Sequence, residues 1–82
     1  MKPAVQKLLW RSRRGMLELD KLFRHYLTEH GYRLIADELV LFERLLECQD
    51  QDLFEVFTGK KSLEDRALDQ MFQDIIKQVN IN

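Results

Sequence analysis

The sequence is poor in the residues that break regular structure: one proline and three glycines in 82 positions. Antiparallel sheets of this size need many turns, and turns draw on those residues, so an all-β fold is excluded on composition. No stretch alternates apolar and polar residues long enough to make a strand, and no internal repeat or low-complexity run is present. A single cysteine, Cys48, rules out an internal disulfide and fits a reducing compartment. No apolar run reaches the roughly 18 residues that would suggest a membrane span, and Met1 to Trp10 lack the apolar core of a secretory signal. A cytoplasmic location is therefore expected, with no direct membrane insertion.

What is present is a helical pattern. Hydrophobic residues make up 45% and charged residues 33%, enough for one modest core, so residues 1 to 82 should form a single all-α domain, a bundle of about five short helices. A first helix from Lys2 to Ser12 would bury Val5, Leu8, Leu9 and Ser12, with Pro3 in its first turn; Trp10, off the stripe on the side of Lys7 and Arg14, would be either partly exposed or, given its large apolar area, at the core edge. A second, from Gly15 to His30, would bury Leu19, Leu22, Phe23, Tyr26 and Leu27 and end on Gly31 as a left-handed cap. A third, from Leu34 to Cys48, carries Ile35, Leu39, Phe42, Leu45 and Leu46, with Val40 off the stripe. Asp50 would cap a short fourth helix ending at Gly59, with Leu53, Phe54 and Phe57 as anchors. Ser62 and Asp65 would form a capping box opening a fifth helix, whose stripe runs from Leu63 through Ala67, Leu68, Met71, Phe72, Ile75 and Ile76 to Val79; Asn80 to Asn82 should fray.

The net charge of -1 conceals a division: Lys2, Lys7, Arg11, Arg13 and Arg14 occur without an acid in residues 1 to 14, whereas seven acids face Arg44 alone in residues 37 to 55. The basic segment could meet phosphates, but the acidic block opposes a duplex, and no nucleic-acid partner is expected. Groups for catalysis are sparse. His25 and His30 are five apart and do not share a helix face as metal ligands at spacing three or four would. Cys48 reads as a small core residue, and Glu47, Asp50 and Asp52 lack calcium-loop spacing. Gly15, Gly31 and Gly59 stand alone, so no phosphate-binding glycine loop exists and no tightly bound FAD or other cofactor is expected. No metal site and no catalytic residue are assigned.

The densest cluster of unusual residues is Arg13-Arg14-Gly15-Met16-Leu17-Glu18-Leu19-Asp20. If the second helix starts near Gly15, Arg14 and Glu18 lie on one side, and the glycine permits close approach of another surface. Spacing alone favours a glycine-broken helix junction with an exposed ion pair.

Arg14-Gly15-Met16-Leu17-Glu18 resembles the Arg-Gly-x-x-Glu pattern of the succinate dehydrogenase assembly factor 2 family. The resemblance extends to Trp10, to Asp20, and to Phe42-x-Arg44-Leu45-Leu46-Glu47-Cys48-x-Asp50-x-Asp52-Leu53-Phe54, covering roughly residues 8 to 76. The chain departs from the family at Gln51, where proline is common, and in a shorter C-terminal tail. The resemblance implies a non-enzymatic assembly factor that binds the flavoprotein subunit of succinate dehydrogenase, and in bacteria of fumarate reductase, and promotes covalent FAD attachment there. It further implies partner binding through Arg14, Gly15 and Glu18, bordered by Trp10, Met16 and Asp20 and extended by Glu47, Asp50 and Asp52, in a protein expected to be monomeric. The alternative reading is a regulatory protein-binding module such as an antitoxin or inhibitor.

Overall fold

The computed structural model describes residues 3 to 79. Five α-helices follow one another: α1 (Pro3–Arg11), α2 (Leu17–His30), α3 (Ala36–Leu46), α4 (Asp50–Phe57) and α5 (Arg66–Val79), with a single 3-10 turn, Gly31–Arg33, after α2. No strand occurs among the described residues. The all-α bundle expected from composition is thus what forms, while the fraying expected of Asn80 to Asn82 lies outside the described residues.

The residues each helix buries recur at helical spacing. Helix α2 is central, packing on α1, α4 and α5, while α3 packs on α1 and α5. The heart of the core is a phenylalanine trio, one ring from each of α2, α3 and α5: the Phe23 centroid lies 5.8 Å from that of Phe42, edge-on, and 5.8 Å from that of Phe72, stacked. All three rings are fully buried beside Leu19, Leu45, Leu53 and Ile75. Full burial of one such side chain contributes about 1.5–3 kcal/mol, so this layer anchors the whole bundle. Val5, Leu8 and Ser12 carry α1 onto it, Ser12 satisfying its buried hydroxyl by donating to the Leu9 carbonyl at 2.8 Å.

Several local expectations give way. Gly31 is not a left-handed cap: its φ is -59°, and the only positive φ among the described residues belongs to Gly59. The glycine is needed there because α1 passes close by, and a Cβ at Gly31 would lie 2.8 Å from Val5 Cγ1. Ile35 leaves the core stripe and stands exposed just before α3, where its N–H donates to Glu38 Oε1 at 2.9 Å in the return half of a capping arrangement. Helix α3 stops at Leu46, short of Cys48.

Helix α4 is preceded by Gln49, so Asp50 is its first helical residue and not its cap. Val56, absent from the expected anchors, is buried with Leu53, while Phe54 and Phe57 are only partly covered. Helix α5 opens at Arg66, later than a Ser62 cap would allow. The cap is Asp65, whose Oδ1 accepts the N–H groups of Ala67 at 3.0 Å and Leu68 at 3.2 Å. Ala67 is exposed, but Leu68, Phe72 and Ile75 hold the expected stripe.

Candidate functional site

The segment Ser12 to Met16 joins α1 to α2 outside any helix, so Arg14 does not share a helical face with Glu18 as the sequence suggested. The Arg14 side chain turns inward instead and is 8% exposed. Its guanidinium lies 6.0 Å from the Phe23 ring and reaches two elements at once. Nε donates to Asp50 Oδ1 at 2.6 Å, Nη1 donates to the Leu46 carbonyl at 2.6 Å, and Nη2 donates to the Cys48 carbonyl. Leu46 and Cys48 sit at and just beyond the end of α3, where unpaired carbonyls concentrate negative potential, and Asp50 opens α4. Only a planar fork of donors meets three acceptors spread over that corner, which is the particular ability of arginine.

Two carboxylates complete the clamp from the backbone side. Asp50 Oδ2 accepts the Met16 N–H at 3.1 Å, and Asp20, in the first turn of α2, accepts the Arg14 N–H on Oδ1 at 3.1 Å. Burial opposes the charge on Asp50, yet the Arg14 hydrogen bond, the Met16 amide, the Arg14 charge and the Gly15 amide together outweigh it and hold the carboxyl below its ordinary range. Asp20 also meets Arg24 at 3.3 Å. The motif loop is therefore tied to α2 and α4 through its backbone and to the end of α3 through the Arg14 side chain, although an interhelix loop is ordinarily the least constrained part of a bundle.

Held this way, the loop presents a distinct surface. Gly15 is exposed, and an added Cβ would meet only Asp50 Oδ2, at an ordinary 3.7 Å. With no positive φ there, folding places no demand for glycine at this position. Trp10 is 74% exposed and Leu17 60%, with Met16 half-buried between loop and core. The Arg13 guanidinium lies over the Trp10 ring, 6.0 Å from its centroid. Glu18 is exposed and forms no ion pair among the described residues.

The structure thus brings Arg14, Gly15, Met16, Asp20 and Asp50 into one assembly, with Trp10 and Glu18 flanking it. The acidic stretch divides. Asp52 pairs with Lys61 at 2.7 Å, while Glu47 is exposed and makes no ion pair among the described residues. Cys48, whose thiol is pushed up by burial, enters the site through its carbonyl and not its sulfur. What sequence reasoning missed was the inward course of Arg14 and its carbonyl partners, separated by 32 and 34 residues, as well as the placement of the Arg13 guanidinium over Trp10. The signal available was Asp50 itself, in the same family pattern as the motif. Among the described residues no group of three or more His, Cys, Asp or Glu side chains could hold a metal ion. No helix among them is long and apolar enough to cross a membrane.

Fold and site together define a small helical protein that offers a braced surface loop and not an enclosed cavity. Residues 6 to 79 match the family described as flavinator of succinate dehydrogenase. Relatives named FAD assembly factor SdhE include one from Idiomarina loihiensis, 37% identical over 76 residues, covering 93% of this chain and 84% of the relative. Another, from Colwellia psychrerythraea, is 44% identical over 75 residues, covering 92% of this chain and 82% of the relative. A third, from Pseudomonas aeruginosa, is 41% identical over 75 residues, covering 92% and 89%. The chain belongs to this flavinator family, whose matched members are named as assembly factors and not as enzymes.

Proposed function

We propose that this protein binds the flavoprotein subunit of succinate dehydrogenase, and of fumarate reductase, through the 10–20 surface, and thereby promotes covalent attachment of FAD to that subunit. The observation that carries the docking reading is the clamp: Arg14 and Asp50 fix a loop whose outward residue, Gly15, has no folding reason to be glycine. A surface glycine held rigid suits close backbone approach by another protein, and a preorganised loop loses little entropy on binding. The family description, flavinator of succinate dehydrogenase, and the relatives' name, FAD assembly factor, support the reaction proposed.

The nine residues singled out in the sequence divide into three roles on this reading. Arg14, Asp20 and Asp50 are positioning residues that shape the loop; Trp10, Gly15, Met16 and Glu18 touch the subunit. Glu47 and Asp52 extend the acidic rim. The protein contributes no bond-making group and holds no FAD tightly. By docking it orders the subunit so that the acceptor side chain and the flavin meet in a reactive geometry, the kind of effect that positioning alone can make large. It acts as a cytoplasmic monomer. No observation favours an antitoxin-like or inhibitory module.

The test is in-gel flavin fluorescence of each client subunit in cells lacking the protein and re-expressing it. Restoration of covalent flavin by the wild-type chain is expected; equal flavin with and without the chain, for both enzymes, would sink the proposal.

A further inference from the structure

Beside the motif loop lies an open cleft of about 590 Å³ between α1 and α2, lined by Gln6, Leu9, Trp10, Arg13, Arg24 and Thr28. Its composition is one-sided: two arginines, two neutral polar side chains, a leucine and a tryptophan, with no carboxylate. The charge follows from the sequence, because α1 (Pro3–Arg11) carries no acid and its basic residues continue into Arg13. Both arginines are exposed, Arg13 over the Trp10 ring and Arg24 in a weak contact with Asp20 at 3.3 Å. A guanidinium held over an indole face only at cation–π range keeps its N–H donors open to an incoming oxygen.

We propose that this cleft is a second contact for the same client and that it receives an acidic peptide segment of the flavoprotein subunit. The proposal rests on the docking reading above and adds the chemistry of what is bound. Carboxylates of that segment pair with Arg13 and Arg24, and an apolar side chain next to them lies on Leu9 and Trp10. Gln6 and Thr28 are placed to hydrogen-bond its backbone. Charge complementarity selects this occupant: a basic or neutral segment would leave Arg13 uncompensated and Arg24 with only its 3.3 Å contact to Asp20, beside an α1 that brings no acid. The cleft adjoins the Arg14-Gly15 loop through Arg13, so one partner can cover both.

Photo-crosslinking on the full-length protein tests this, with p-benzoylphenylalanine placed at Thr28 in the cleft or at Leu17 on the loop, followed by mass spectrometry of the adduct with the apo subunit. A Thr28 adduct in a subunit peptide of net negative charge supports the proposal. A Thr28 adduct in a neutral or basic peptide overturns it. So does an adduct from Leu17 with none from Thr28, which leaves the docking reading standing. Adducts from neither position overturn both. The R13Q/R24Q double variant provides an independent readout: affinity for the subunit should fall about tenfold and lose much of its salt dependence, with thermal unfolding unchanged. Wild-type affinity and salt dependence in that variant would overturn the proposal.

Discussion

Replacing Arg14 by lysine separates the charge of this side chain from its shape. Lysine keeps the positive charge but presents a compact ammonium on a flexible stem, and it cannot reach Asp50, Leu46 and Cys48 together as the fork does. If lysine keeps the Asp50 pair, the two carbonyls lose a charged donor. Hydrogen bonds to charged groups are worth about 1.5–3 kcal/mol each where solvent is excluded, and Asp50, at 28% exposed, shows that water has partial access to the corner. The expected loss is therefore about 2–4 kcal/mol, below the simple sum for two such bonds. For a domain this small, each kcal/mol lowers Tm by about 4–8 °C, so a drop of roughly 10–30 °C should appear in thermal unfolding followed by circular dichroism. Hydrogen exchange gives the local view: the Arg14 and Met16 amides, bonded to Asp20 and Asp50, should exchange faster while those in the middle of α5 change only with global stability. A loss under about 0.5 kcal/mol, the range of an ordinary surface substitution, with unaltered exchange at Met16 would refute the clamp.

Other expected outcomes follow from the same contacts. Gly31→Ala should cost about 1–3 kcal/mol through the clash with Val5, and the G31A/V5A pair should recover part of that loss in a urea titration; no recovery would mean that backbone conformation governs the position. Asp50 gives a pH dependence. Its folded pKa is depressed, so its contribution is fully present above the unfolded value of about 3.9 and is lost as pH falls further, through the lower folded value. Asp50→Asn should accordingly flatten the acid limb of stability against pH, and an unchanged limb would remove the carboxylate from the clamp.

Most of the fold was legible because helices advertise themselves locally. Leu19, Leu22, Phe23 and Leu27 repeat at the spacing of a buried face, and a sequence window detects this without knowing what they pack against. Glycine and aspartate were harder. Gly31 follows a helix as a cap would, but its lack of a side chain serves the passage of α1, and nothing local distinguishes the two uses. Ser62 and Asp65 are both good cap residues within one turn of each other, and the packing of α5 decides between them.

The candidate site was legible as a location but not as an arrangement. The charges of Arg14 and Glu18 suggested a helix face, whereas Arg14 goes to partners more than thirty residues away that no period reveals. Trp10 illustrates the converse. Its place off the stripe indicated exposure correctly, although its large apolar area suggested the edge of the core.

The separation between clamp and contact is tested most directly by the affinity of the Gly15→Arg variant for the apo flavoprotein subunit, measured by calorimetry. An arginine side chain there should project outward, so Tm should stay within a few degrees of wild type while affinity falls about a hundredfold, or about 2.8 kcal/mol. Wild-type affinity in a folded Gly15→Arg protein would contradict the account, because the glycine would then be neither a folding requirement nor a point of approach.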